Sequence, residues 1–288
     1  MEKIIVLGAT GTIGKAVLAA LQPTQTEVYA GVRNPENVSA STLSGAVPIQ
    51  LDFTKAEDLD RGLQGMDRVF LVTPLMQQPE WVTQLVLEAA KKNNIKHIVR
   101  STALGADVDG AIEMSRWAGR SEERIKAAGI PYTFIRPNNF LENFINFHAQ
   151  TIREYKGFYV PNGTAKVGMV SVADIAEVAV HALTSDAHMN KAYDLSGLAL
   201  TNAEYAAALS EVLAEKISYI DVPEAKAKES MLSNGMPEWL VSAMMELYSI
   251  MKQGWTAAYS DDFKKVTGRE YTTASSFFEK NKQVFQSV

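Results

Sequence analysis

The sequence contains no cysteine, which excludes disulfides, a thiolate nucleophile and zinc held by thiolates. A reducing compartment, the cytoplasm, is therefore expected. Histidine is scarce: His97, His148, His181 and His188 show no metal-ligand spacing, so no metal is expected. No apolar run approaches the roughly 18 residues a membrane span needs, and the apolar stretch 4–7 is too short for a secretory signal. Positive charge is in deficit, with 28 Lys+Arg against 33 Asp+Glu and a net charge of −5. Nucleic acid and anionic membranes need a basic footprint and are not expected as partners. At 47% hydrophobic and 21% charged residues, the chain has the balance of a globular protein and not of a disordered one.

What is present is a regular alternation. Apolar, β-branched runs at 4–7, 28–32, 47–51, 69–72, 98–99 and 132–135 are separated by segments of helical period. Ile13, Val17, Leu18 and Leu21 share one helical face, and Trp81, Leu85, Val86 and Ala89 another. Right-handed βαβ crossovers that bury these stripes predict an α/β fold, a Rossmann-like doubly wound parallel sheet. Beyond residue 150 the alternation loosens. Gly157, Pro161, Asn162 and Gly163 mark turns, and helices are predicted over 172–184 and near 237–252. With 288 residues and roughly 150 per domain, residues 1–153 read as a dinucleotide-binding domain and 154–288 as a smaller, mainly helical substrate lobe, some of whose segments can return to the sheet. Monomer and homodimer both remain open.

The sharpest local signal is Gly8-Ala9-Thr10-Gly11-Thr12-Ile13-Gly14, set between the first strand and the first amphipathic helix. Glycines there let the backbone turn and approach a pyrophosphate, whose charge meets the free N–H groups of the helix N-terminus. A plain βα turn is the alternative. The second strand ends on Val32-Arg33-Asn34, with no carboxylate to accept the ribose hydroxyl of NAD. The guanidinium of Arg33 suits a 2′-phosphate, so NADP(H) is preferred over NAD(H), unless Arg33 is only a surface residue at a strand end.

These motifs, with Pro35, Asp52, Ile95-Lys96-His97-Ile98-Val99 and Ile130-Pro131-Tyr132-Thr133-Phe134-Ile135-Arg136-Pro137, resemble the NmrA-like branch of the atypical short-chain dehydrogenases. The chain is most similar to its bacterial NAD(P)H:quinone oxidoreductases, triphenylmethane-dye reductases and azoreductases. The resemblance covers nearly the whole chain and is densest over residues 1–150. It implies that Asp52 and Phe53 lie near the adenine, Thr73 and Pro74 near the cofactor ribose, and Ser101, Thr102 and Ala103 near the nicotinamide. Pro137, Asn138, Asn139 and Phe140 would form a loop closing over the nicotinamide.

The wider superfamily carries Tyr-x-x-x-Lys on the helix after the fifth strand, whereas this chain reads Ser115-Arg116-Trp117-Ala118-Gly119-Arg120-Ser121-Glu122. By offset, the resemblance puts a family glutamate on Glu122. Tyr248 and Lys252 have the right spacing but fall in the C-terminal lobe. Without a positioned acid, commonly worth ~10²–10⁴-fold, acceptors that take hydride without a concerted proton are favoured. Quinones, cationic dyes and related conjugated aromatics qualify. Trp117, Phe140 and Phe144 are candidates to stack on such an acceptor, and Asn139, Arg116 or Arg120 to polarise it; the arginines fit a solvated helix face equally well. The Met- and aromatic-rich stretch 231–255 reads as core, or else as an adaptable substrate lid. Two functions stand: an NADPH-dependent reductase of a small aromatic or quinone-like substrate, or a non-enzymatic NADP(H)-binding redox sensor acting through a protein partner.

Overall fold

The computed structural model describes residues 1–286. The first half alternates strands β1 (Glu2–Leu7), β2 (Thr26–Val32), β3 (Val47–Gln50), β4 (Arg68–Leu71), β5 (His97–Ser101) and β6 (Tyr132–Pro137) with helices α1 (Thr12–Leu21), α2 (Ala40–Leu43), α3 (Ala56–Gly62), α4 (Glu80–Lys92) and α5 (Glu113–Ala128). There follow β7 (Asn139–Phe140), α6 (Ala149–Tyr155), β8 (Gly157–Val160), β9 (Lys166–Val170), α7 (Val172–Thr184), β10 (Lys191–Leu195), β11 (Ala199–Thr201), α8 (Asn202–Leu213), β12 (Ser218–Asp221), α9 (Glu224–Ser233), α10 (Glu238–Lys252), α11 (Asp262–Thr267), α12 (Ala274–Lys280) and α13 (Lys282–Phe285).

Two compact units interleave along the described residues, one of 1–137, 172–194 and 262–268, the other of 138–171, 195–261 and 269–286. In the first, a seven-stranded sheet has the order β10-β6-β5-β4-β1-β2-β3, with β1 through β6 parallel. Strands buried on both faces need continuous apolar runs, and Ile4, Ile5, Val6 and Leu7 of β1 are all fully buried. On one face Leu59 of α3, Val86 of α4 and Ile125 of α5 join Leu7, Leu71, Ile98 and Phe134 in a single core. On the other, α1 packs on α7, and α1 buries Ile13, Val17, Leu18 and Leu21 as its sequence demands. The buried stripe of α4 is Val82, Val86, Ala89 and Ala90. Trp81, expected on the inner face, is 43% exposed because it stands one residue, about 100° of helix rotation, off that stripe.

The second unit holds a three-stranded sheet, β11-β9-β7, and the pair β12-β8. Its core is aromatic: Phe144, Phe158, Tyr205, Phe277, Phe278 and Phe285 are all buried. Phe144 meets Phe158 and Phe278 edge-on at 5.2 and 5.1 Å. It is core and offers no face for an acceptor to stack on. Within 231–255 only Met251 is fully buried among the methionines, so α10 carries a half-buried methionine face. Among the described residues no helix is long and apolar enough to cross a membrane.

Candidate active site at the carboxyl edge of the sheet

A parallel sheet delivers all its strand-to-helix loops to one edge, and in doubly wound sheets ligands bind there at the topological switch point, which here falls between β1 and β4. The turn after β1 occupies that point, and its three glycines do three different things. Gly8 sits at φ +84°, and a Cβ on it would lie 2.2 Å from the Val72 carbonyl oxygen. A Cβ on Gly14 would lie 2.2 Å from the Gly8 oxygen, so this glycine lets α1 seat against the turn. Gly11 has an ordinary extended backbone, φ −77° and ψ 171°, and a Cβ there would meet only the Gly8 oxygen, at 3.3 Å. The protein does not need glycine at 11 for its own packing.

Gly11 is also the N-cap of α1, with no capping side chain and no acidic residue in the first turn. The first N–H groups of this ten-residue helix lack intrahelical acceptors by geometry, and nothing local competes with an anion for them. Thr10 and Thr12 flank the turn, both exposed. Ile13 is 8% exposed: its side chain belongs to the core, and only its backbone N–H is left for a ligand.

At the end of β2, Arg33 is exposed and takes part in no hydrogen bond or ion pair among the described residues. Asp52, after β3, accepts from Thr54 through both its amide, at 3.0 Å, and its hydroxyl, at 2.7 Å. The Thr54 hydroxyl chiefly holds the Asp52 carboxyl below the usual range, and the nearby Arg33 charge adds to this. Phe53 leans on the sheet core.

Past β4, Thr73 accepts from Arg100 Nη2 at 3.0 Å, while Pro74 is exposed. Past β5, Ser101 is buried, and the Thr102 hydroxyl donates to Glu122 at 2.8 Å. Glu122, 1% exposed, projects from α5 into a fork with Arg136 of β6, whose Nε and Nη2 donate at 2.9 and 2.5 Å. Each Glu122 oxygen thus already accepts from a cation or a hydroxyl, an arrangement that holds three segments together. Trp117 is 6% exposed and lies on the same buried stripe of α5, so its indole has no open face for stacking. The resemblance gave no role to Arg136, though its motif includes that residue, nor to Arg100; the signal was a charge inside or directly after each of two apolar strand runs. Arg116 and Arg120 are engaged as well, the first with Glu113 and the second with Glu80 and Glu113.

In the second unit, Asn138 is 8% exposed and uses its whole amide. Nδ2 donates to Ser196 Oγ and to the Thr256 carbonyl, both at 2.9 Å. Oδ1 accepts from the Asn139 backbone at 2.9 Å and from Asn139 Nδ2 at 3.1 Å. Asn138 is thereby fully committed, while Asn139, half-buried, keeps its amide oxygen and one Nδ2 hydrogen without a partner among the described residues. Phe140 is pinned in β7, in register with Val170. Tyr248 packs against the aromatic core, and Lys252 is paired with Glu224 at 2.8 Å, so the spacing of these two forms no catalytic couple. Among the described residues, no three acidic or histidine side chains converge on a point fit for a metal ion.

A doubly wound sheet whose first strand runs through an uncapped glycine turn into a helix defines a dinucleotide-binding protein of Rossmann type. The NmrA-like family profile matches residues 1–278, and the chain belongs to that family. It is 37% identical over 283 residues to the NAD(P)H azoreductase of Xenophilus azovorans, covering 98% of this chain and 99% of that protein. With quinone oxidoreductase 2 of Escherichia coli it shares 27% identity, covering 94% and 95%. Among solved structures, the NADPH complex of the E. coli NADPH-dependent quinone oxidoreductase gives a TM-score of 0.86 at 26% identity, covering 97% and 99%. The NADP(H) complex of Citrobacter sp. triphenylmethane reductase gives 0.85 at 26% identity, covering 98% and 99%.

Proposed function

We propose that this chain is an NAD(P)H-dependent reductase that prefers NADPH and passes hydride to a conjugated acceptor, a quinone, an azo or triarylmethane dye, or a related aromatic. The observation that carries the reading is the pairing of an unspent helix N-terminus at Gly11 with an unpaired guanidinium at Arg33. The turn 8–14 would take the pyrophosphate, with Thr10 and Thr12 as added donors. Arg33 would fork onto the 2′-phosphate, Asp52 and Phe53 would lie near the adenine, and Thr73 and Pro74 near the cofactor ribose.

The bound nicotinamide supplies the hydride, and the protein orients it and excludes water. Ser101, Thr102 and Pro137 would flank the nicotinamide. Glu122 is a positioning residue that fixes Thr102 and Arg136. The second Nδ2 hydrogen of Asn139 would donate toward the acceptor, its first being held by Asn138, and Phe140 would pack beside it. No tyrosine stands on α5, so the proton that follows hydride comes from water, which suits quinones and cationic dyes better than simple ketones.

The test is cofactor discrimination, read by calorimetry and by oxidation of NADPH at its absorbance band with a panel of quinones and dyes. Arg33→Ala is expected to weaken NADPH binding about 10- to 100-fold, the worth of a charge-assisted contact, and to leave NADH within about twofold. Equal loss for both cofactors refutes the phosphate assignment. Wild-type protein that binds NADPH but reduces none of the panel refutes the reductase and leaves a redox sensor.

A further inference from the structure

Two arginines of the central sheet are buried, and they differ in one respect. Arg68, 4% exposed, is paired with Glu2 at 2.9 Å and Asp186 at 2.6 Å. Arg100, also 4% exposed, has no carboxylate within ion-pair distance among the described residues. Its one hydrogen bond is Nη2 to Thr73 Oγ1, and Nε and Nη1 are buried without a partner. The carboxylate whose field it feels most is Glu122, which is already committed to Arg136 and Thr102. A buried cation left unpaired destabilises the fold. Arg100 sits one residue before the carboxyl end of β5, at the edge that carries the glycine turn.

We propose that Arg100 is the cationic half of an anion-binding subsite at the carboxyl edge of the sheet, which takes a carboxylate, sulfonate or phosphate oxygen of a bound ligand. An anion supplies both things the guanidinium lacks, an acceptor for two N–H groups and an opposite charge. Burial lowers its pKa to about 10, which leaves it charged at neutral pH. The approach is through the loop after β4. Residues 73–77 make no backbone–backbone hydrogen bond among the described residues, Gln78 is held at φ +54°, and Leu75 is 55% exposed. A segment so weakly tied opens at small cost, and the Thr73 bond is its link to Arg100.

Two ligands present such oxygens, the cofactor through its pyrophosphate and the acceptor through a ring carboxylate or sulfonate; the acceptor case rests on the reductase reading. The experiment compares the full-length wild type with Arg100→Met and Arg100→Lys. Calorimetry measures binding of NADPH, naphthoquinone and naphthoquinone sulfonate, with the melting temperature recorded beside it. The Met variant is expected to lose about 10- to 100-fold in affinity for at least one of the two anions, the worth of one charge-assisted hydrogen bond. It is expected to keep neutral naphthoquinone within about twofold. Its Tm holds or rises, since removing an unpaired buried charge removes a penalty. The Lys variant retains charge and so retains part of the affinity.

Loss confined to the sulfonate names the acceptor, and loss confined to NADPH names the cofactor; either upholds the subsite. Unchanged binding of both anions overturns it. So does a Tm lowered by several degrees with equal loss for neutral and charged quinone, the mark of a merely structural arginine. Because the readout is binding, a wild type that turns over no quinone sinks the reductase reading without deciding the subsite.

Discussion

Replacing the glycines of the first turn one at a time separates folding from ligand binding. At Gly14 an added Cβ lies 2.2 Å from the Gly8 oxygen and 2.9 Å from the Ala9 Cα, backbone atoms that yield only if α1 slides by about 1 Å. Such overpacking costs about 1–3 kcal/mol, partly offset by the better helix propensity of alanine, up to about 1 kcal/mol. Gly14→Ala is therefore expected to lose about 1–2 kcal/mol, or roughly 2–8 °C of Tm for a chain of this size. At Gly11 the backbone suits any residue and the nearest atom is 3.3 Å away, so Gly11→Ala should melt within about 2 °C of wild type. Its methyl group enters the space that a pyrophosphate needs. Loss of one or two charge-assisted hydrogen bonds, about 2–4 kcal/mol, weakens NADPH roughly 30- to 1,000-fold. Thermal melting followed by circular dichroism, with calorimetry on the same samples, reads both quantities. If Gly11→Ala binds NADPH within threefold of wild type, the turn is not a phosphate site; if it melts as low as Gly14→Ala, the division of labour among the glycines is wrong.

Other perturbations act on buried charge. Glu122→Gln keeps shape but leaves Arg136 half-buried with Asp194 at 3.7 Å as its remaining partner; breaking a buried pair in this way costs about 3 kcal/mol, roughly 6–12 °C of Tm. Adding Arg136→Met should restore part of it, and a single variant within 1 °C of wild type would show that the fork contributes nothing. His97 is fully buried. It accepts from Arg68 Nη1 at Nδ1, 3.2 Å, and so donates from Nε2 to Thr133 Oγ1 at 2.9 Å. Burial first, then the Arg68 charge, lowers its pKa to about 4. With the folded value below the unfolded value of about 6.5, its contribution is complete above pH 6.5 and is lost as pH falls towards 4, about 3 kcal/mol in all. Burial of His148 shifts that group to about 4 also, and burial lowers His188 as well, so urea titrations from pH 7 to 4 should show a slope that His97→Gln reduces but does not abolish. An unchanged slope in that variant contradicts the buried neutral ring.

The elements were legible because each is written in contiguous residues. The run at 4–7 became β1, the stripe Ile13, Val17, Leu18 and Leu21 became the inner face of α1, and the helix expected over 172–184 is α7. Less legible was where the later segments go. A boundary drawn at 153/154 follows local glycine and proline density, whereas the backbone passes to the second unit at 137/138 and sends α7, β10 and α11 back to the first. Periodicity shows that α7 has an apolar face; it cannot say that the face belongs against α1 and not in the lobe that surrounds α7 in sequence.

Sequence alone determined the glycine turn, the strand-end arginine and the βαβ order, because backbone sterics and hydrophobic period act over a few neighbouring residues. Tertiary structure alone decided which charges are spent. Glu122 and Arg136 are 14 residues apart, and Arg68 finds Asp186 across 118, while Arg100, in the next strand, finds no carboxylate among the described residues. Whether a buried charge is paired depends on what the fold brings within about 4 Å of it, and that distance is not written in the order of the residues.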